Sequence, residues 1–211
     1  MPKTPTMQPW HALLDDSEST VVRNDFRLEG AERILVVTGP NQGGKSTFAR
    51  MVGRLMYPAA LGCPVPGSRA GIMLPDRMAT HLVREDEVDE QDGALGQELV
   101  RMRAILDHLT AHSVVILNES FSTTAAAGAV RVGGDVLHRI VERGSVSVYV
   151  TFLDELAEVG PEVVGMVAGV EKDDAVRTFR IERRLPDDMA HAAVMVQRHG
   201  LTYDEIRARV R

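Results

Sequence analysis

The stretch Gly39 to Ser46 reads GPNQGGKS, a G-x-x-x-x-G-K-S spacing whose residue types suit the grip of a triphosphate. Glycines at positions 39, 43 and 44 permit backbone dihedrals and close approaches that a side chain would block. The amides of Gly43 to Thr47 can then converge on phosphate oxygens. Lys45 would bring an ammonium to the β- and γ-phosphates, and Ser46 a hydroxyl to Mg²⁺. The ligand expected is ATP, with Gly39, Pro40, Asn41, Gly43, Gly44, Lys45, Ser46 and Thr47 as its contacts in this loop.

Phosphate chemistry also needs an acidic group at the end of a neighbouring strand. In VVILNES, Val114 to Ser120, Glu119 occupies the position of a general base toward an attacking water. Glu119 and Lys45 are therefore the candidate catalytic residues, and Ser46 and Asn118 the candidate metal ligands. Asn118 stands where such sites usually hold Asp. It can accept a hydrogen bond from a metal-bound water but brings no charge. Mg²⁺ is a hard cation that favours carboxylates, so weakened metal binding is expected.

The elements that must position these groups read as alternating strands and helices. Ile34 to Thr38, Ser113 to Leu117 and Ser145 to Thr151 are short, β-branched and apolar, as buried parallel strands are. Helical spacing of apolar residues runs from Gly44 to about Tyr57 (Phe48, Met51, Val52, Leu55, Met56), where Pro58 and the CPVPG turn are expected to end it. It recurs from Ala94 to Thr110, with Leu95, Leu99, Met102, Ile105, Leu106 and Leu109 on one side, and from Ala125 to Val141. A short helix is expected at Leu153 to Glu158, a short strand at Arg69 to Leu74, and late strands at Val163 to Val170 and Val176 to Arg184, the second at an edge or half-exposed. Helices at Met189 to His199 and Thr202 to Val210 close the chain. The pattern predicts an α/β fold with a mostly parallel sheet flanked by helices and a C-terminal helix pair. Residues 1–20 are an irregular lead-in, 21–187 the α/β domain and 188–211 the helix pair.

Composition narrows the function classes. The 211 residues are 44% hydrophobic and 26% charged, within the globular range. A net charge of -6 gives no overall field toward DNA, RNA or anionic lipid. The eight arginines against five acids between Arg177 and Arg211 are too diffuse for a DNA-binding patch. A single cysteine, Cys63 in the turn LGCPVPG, excludes an internal disulfide and a multi-cysteine zinc site. No apolar run reaches the ~18 residues that span a bilayer. The N-terminus lacks the apolar middle of a signal peptide, so no membrane contact and a cytoplasmic address are expected. The acidic run Arg84 to Asp92 is expected to be solvated, and His81, just before it, to lie on the surface.

The loop in its wider form, TGPNQGGKST, resembles the nucleotide loop of the MutS family of DNA mismatch-repair ATPases, TGPN-x-GGKST. Asn24 to Leu28 stands at the spacing of the family's N-x-x-x-L segment beside the adenine, which adds Val22 and Asn24 to the expected nucleotide contacts. Val21 and Val22 fall where the family often has an aromatic, so aliphatic packing would replace stacking. LGCPVPG resembles the G-x-x-VPA turn, LPDRMATHLVREDE the family's helical approach to its signature segment, and ELVRM the helix after it. NESFSTT and VTFLDEL, at 118–124 and 150–156, resemble the motifs of divergent MutS-like members that also carry NE at this point.

The resemblance implies a P-loop NTPase of ABC-ATPase type in which two domains face each other, each closing the other's nucleotide. Ser122, Thr123, Thr124 and Phe152 would then face the partner, and the last two helices would contribute to a homodimer. The segment at 93–98, GALGQE, lacks the serine that usually reaches the partner's γ-phosphate, and Phe152 replaces a histidine at the end of the third strand. With Asn118, these departures predict slow Mg²⁺-dependent ATP hydrolysis, because each lost transition-state contact costs about 2–4 kcal/mol. The family's mismatch-reading, connector and lever-and-clamp regions do not fit in the first 20 residues. An isolated or reduced ATPase domain is thus expected, with DNA contacted by other domains of a parent protein. Two readings stand: a slow ATPase, and a nucleotide-binding dimerisation module with little or no hydrolysis. A kinase for a small substrate fits less well, since the segment from Glu119 to Thr124 suits water as the attacking group.

Overall fold

The computed structural model describes residues 22–67, 69–82, 93–170 and 177–186, together with positions 203, 206 and 207. Six strands form one sheet: β1 (Ile34–Thr38), β2 (Arg77–Leu82), β3 (Ser113–Asn118), β4 (Val146–Val150), β5 (Val163–Val170) and β6 (Arg177–Arg183). Their order across the sheet is β2-β3-β4-β1-β5-β6. All neighbours are parallel except β5 and β6, which are antiparallel. The α/β expectation therefore holds, with one edge antiparallel.

Among the described residues three helices, α1 (Lys45–Ala60), α2 (Gly93–Asp107) and α3 (Ala126–Glu142), and a 3₁₀ turn at Asp154–Glu158 connect the strands. Alternation along each strand divides the apolar residues between two cores. Leu35 and Val37 of β1 face one way with Phe48, Val52, Leu55 and Met56 of α1. Ile34 and Val36 face the other way with Met102 of α2 and Val136, Leu137 and Ile140 of α3. Covered on both faces, β1 is buried along its whole length, as its unbroken apolar run requires.

Three expectations need correction. The strand placed at Arg69 to Leu74 lies elsewhere: 70–75 has no regular structure, and Ile72 and Met73 instead pack on the α1-side core. The sheet edge is taken by β2, which the polar string RMATHL concealed and which the family resemblance had rendered as a helical approach. Parallel pairing with every residue of β3 holds it extended. Helix α1 continues through Pro58 to Ala60. A proline in the last turn removes a hydrogen bond where the ladder is already ending, and its fixed φ remains helical. The short helix expected at Leu153 to Glu158 is present as a 3₁₀ helix that begins one residue later, at Asp154. The acidic run at 84–92, residues 1–20 and the helices at 189–199 and 202–210 lie wholly or largely outside the described residues.

Candidate functional site

Every expected site residue from Gly39 onward falls at the carboxyl end of a parallel strand, where open α/β sheets collect their ligands. The loop after β1 is seated on β5. A Cβ on Gly39 would stand 3.0 Å from the Ala168 nitrogen, and one on Gly43 2.9 Å from the Ala168 Cβ, so the close approach itself demands glycine. Gly39, Gln42 and Gly44 adopt φ of 110, 60 and 90°, and the Gly43 amide donates to the Pro40 carbonyl at 3.2 Å. The loop delivers the chain into α1 with Gly44 as N-cap, without a side-chain cap and without an acidic residue in the first turn. A helix start of this kind leaves backbone donors and the positive end of the dipole for an anion.

Lys45 is buried, 5% exposed. Its ammonium donates to the carbonyls of Gly39 at 2.6 Å and Pro40 at 3.1 Å. The Phe152 ring covers it, 4.0 Å from Nζ to centroid. Burial pushes the Lys45 pKa down to about 8, against the pull of the Glu119 and Asp154 carboxylates. Ser46 is partly buried, while Asn41 and Thr47 are exposed. Asn41 is tied down through its carbonyl, which accepts from Arg177 Nε at 2.5 Å. Asn24 engages the edge strand: its Nδ2 donates to the Phe179 carbonyl at 3.0 Å and its Oδ1 accepts from the Ile181 amide at 2.7 Å. Val22 is half-buried.

Glu119 lies beyond β3, with β4 between it and the glycine loop. Two inter-strand steps of about 4.8 Å separate the two strand ends by roughly 10 Å. The backbone here is unusual, with Glu119 at φ 54° and Phe121 at φ 65°. Left-handed conformation costs an ordinary L-residue about 1–2 kcal/mol, and it persists only where the surroundings over-determine it. Here they do. The Glu119 amide donates to the Val150 carbonyl at 2.8 Å. The Phe121 amide donates to Glu98 Oε1 at 2.7 Å. Tyr149 donates its phenolic proton to the Ser120 carbonyl at 3.0 Å, and Ser120 Oγ meets His81 Nδ1 at 2.8 Å. The following residues, Ser122 and Thr123, are exposed and Thr124 is half-buried.

His81 is thus not at the surface: it is 4% exposed, and Glu98 is 3% exposed. Burial, then the positive charge of Arg101, hold the His81 pKa below its ordinary value. Burial raises that of Glu98, against the Phe121 amide and Arg101. Sequence reasoning missed this cluster, although a signal existed. Leu95, Glu98, Met102, Ile105 and Leu109 recur at helical spacing, and the inward row of α2 passes through Glu98, leaving Leu99 40% exposed.

Among the described residues no group of three or more His, Cys, Asp or Glu is placed to hold a metal. Near the loop, Thr38 Oγ1 and Asn118 Oδ1 are buried without a hydrogen-bond partner. Asn118 Oδ1 is an acceptor with nothing to accept, which fits a water held by a cation. With neutral oxygens from Ser46 and Asn118, such a cation would draw its compensating charge from the ligand's phosphates.

The family model described as MutS domain V matches residues 35–194. The chain belongs to the MutS family. Within it the chain is 29% identical over 180 residues to the Endonuclease MutS2 of Gemmatimonas aurantiaca, covering 83% of this chain and 22% of that protein. It is 31% identical over 147 residues to the Endonuclease MutS2 of Thermus thermophilus, covering 70% and 19%. To the DNA mismatch repair protein MutS of Thermotoga maritima it is 30% identical over 148 residues, again covering 70% and 19%. The chain spans about a fifth of the length of these MutS relatives. The glycine loop, the Glu119 turn and Phe152 all fall inside the matched MutS segment. No helix among the described residues is long and apolar enough to cross a membrane.

Proposed function

We propose that this chain is the ATP-binding and slowly ATP-hydrolysing domain, of P-loop ABC-ATPase type, of a MutS-like DNA mismatch repair protein, acting as a nucleotide-dependent homodimeric switch. The observation that carries this reading is the start of α1: an uncapped helix N-terminus, free of acids, behind a glycine loop whose buried lysine lies within reach of Glu119's field. Backbone amides from Gly43 to Thr47 would surround the phosphates. Lys45 would exchange the carbonyls of Gly39 and Pro40 for phosphate oxygens, a trade of weak acceptors for charged ones. Ser46 and Asn118 would hold Mg²⁺, which supplies charge neutralisation when bound. Glu119 would accept the proton of an attacking water held in the gap beside β4. Ser122, Thr123, Thr124 and Phe152, on the same rim, would meet the second copy. DNA contact would belong to other domains of a parent protein.

Calorimetry with saturating ATP and Mg²⁺ tests the reading: binding heat is expected for the wild type and none for Lys45→Ala. Phosphate release by the wild type, lost in Glu119→Gln, separates hydrolysis from binding alone. Absence of heat from the wild type would overturn the proposal.

A second reading, a dimerisation module with little turnover, is favoured by Phe152 lying over the Lys45 ammonium and by the uncharged Asn118. Dimerisation that depends on ATP while phosphate release stays at background supports it, and a dimer indifferent to nucleotide refutes it.

A further inference from the structure

We propose that Glu98 is a positioning residue for Glu119, acting through the buried turn that joins them. The inference rests on the hydrolytic reading above. Glu119 and Phe121 both hold left-handed φ on either side of Ser120, and neither is glycine. A two-step left-handed turn has no stability of its own. Besides the backbone bond from the Glu119 amide to the Val150 carbonyl, it is kept by side chains from three separate elements: Glu98 of α2 to the Phe121 amide, His81 of β2 to the Ser120 hydroxyl, and Tyr149 of β4 to the Ser120 carbonyl. Of these side-chain bonds only that of Glu98 fixes a peptide whose dihedral is itself left-handed, and it is among the shortest, at 2.7 Å. Ser120 and Phe121 are 2% and 0% exposed, so bulk solvent does not reach the bonds that hold the turn. Glu98 also stands 3.9 Å from His81 Nδ1, which places two of the three side-chain anchors of the turn side by side.

The cluster lies on the opposite side of the sheet from α1, among the residues packed with α2 and α3. Disturbing it should leave the glycine loop and its grip on phosphate intact while turning the Glu119 carboxylate away from its target. A displacement of about 1 Å at a catalytic group costs on the order of 100-fold in rate. A residue that merely stabilised the fold would instead lower the folded fraction and spare the turnover of molecules that remain folded.

The test uses the full 211-residue chain. Steady-state phosphate release with Mg²⁺ and ATP gives kcat, and fluorescence titration with a labelled ATP gives Kd, on protein whose folding is checked by circular dichroism. Glu98→Ala is expected to lower kcat about 10- to 100-fold with Kd within about twofold. Glu98→Gln keeps an oxygen to accept from the Phe121 amide and is expected to restore most of kcat. Tyr149→Phe, isosteric and suited to a buried site, is expected to fold and to lower kcat several-fold at unchanged Kd, which keeps the test decisive if Glu98→Ala does not fold. Wild-type kcat in folded Glu98→Ala or in Tyr149→Phe overturns the proposal alone, as does a Gln variant no better than Ala. A wild type that binds ATP yet releases no phosphate overturns the hydrolytic reading together with this proposal, and a wild type that binds none overturns the nucleotide reading itself.

Discussion

Replacing Lys45 by methionine should stabilise the ligand-free protein. The ammonium is 5% exposed, and burial moves its pKa from 10.5 to about 8. A group whose folded pKa lies below its unfolded value binds fewer protons when folded, so stability rises with pH between the two values. At pH 7 the folded chain bears the whole penalty of keeping that charge out of water. At 1.36 kcal/mol per pKa unit the displacement corresponds to at most about 3 kcal/mol. Methionine removes the charge and keeps the length, but it leaves the carbonyls of Gly39 and Pro40 without their donor and loses the cation–π contact with Phe152, which together return about 1–2 kcal/mol. A net gain of about 1–2 kcal/mol at pH 7 is expected, a rise in Tm of several degrees for a chain of this size. Urea unfolding of both proteins at pH 7 and pH 9.5 is the measurement. The wild type should recover about 2 kcal/mol relative to the variant over that interval, so the variant's advantage should vanish. A variant no more stable than wild type at pH 7, or a difference that does not change with pH, would refute the account of Lys45 as a charge held against its own desolvation. Calorimetry on the same variant should show no ATP heat.

Other perturbations give separable outcomes. Gly43→Ala places a methyl 2.9 Å from the Ala168 Cβ and 3.0 Å from the Pro40 carbonyl; it should displace the loop and weaken ATP binding at least tenfold in calorimetry, with little change in melting temperature. Gly165→Ala places a methyl 2.7 Å from the Arg184 carbonyl, where β5 meets the end of β6; overpacking against backbone should cost about 1–3 kcal/mol in urea unfolding. Phe152→Ala uncovers the Lys45 ammonium and should leave the free protein slightly less stable, by about 0.5–2 kcal/mol for the lost cation–π contact, while tightening ATP binding measured by titration. Glu98→Gln should be more stable than wild type at neutral pH, because burial raises the pKa of the carboxyl and disfavours its charge. That advantage should shrink as pH falls and the wild-type carboxyl takes up its proton, which unfolding curves at pH 7 and pH 5 would show.

The parts legible before folding were those whose signal is local. Ile34 to Thr38 and Val163 to Val170 came out at the expected residues because strands covered on both faces must be continuously apolar. Arg177 to Arg183 came out as an edge because its charges could be tolerated nowhere else. The loop at Gly39 to Ser46 was legible as a tight strand-to-helix connection because its glycines permit the positive φ found at Gly39 and Gly44. Other elements failed where local pattern and tertiary demand diverged. RMATHL has weak strand periodicity, and only pairing with β3 makes it the edge strand. Ile72 and Met73 look like part of a strand but cover the core from an irregular segment. His81 looked like the last residue before a solvated acidic run, yet strand alternation turns it inward to Ser120.

By itself the sequence determined the α/β pattern, the glycine loop that leads through Lys45 and Ser46 into a helix, and Glu119 at a strand end, because each depends on neighbours a few residues away. Only the tertiary structure decided that β4 separates Glu119 from the loop, that Phe152 lies over Lys45, and that Glu98 and His81 brace the turn presenting Glu119. Those relations join residues 23 to 39 positions apart in the turn's case, and they follow from strand order and from which side of α2 and β2 is buried. Periodicity along a chain marks a face as inward, but what that face meets is fixed by packing.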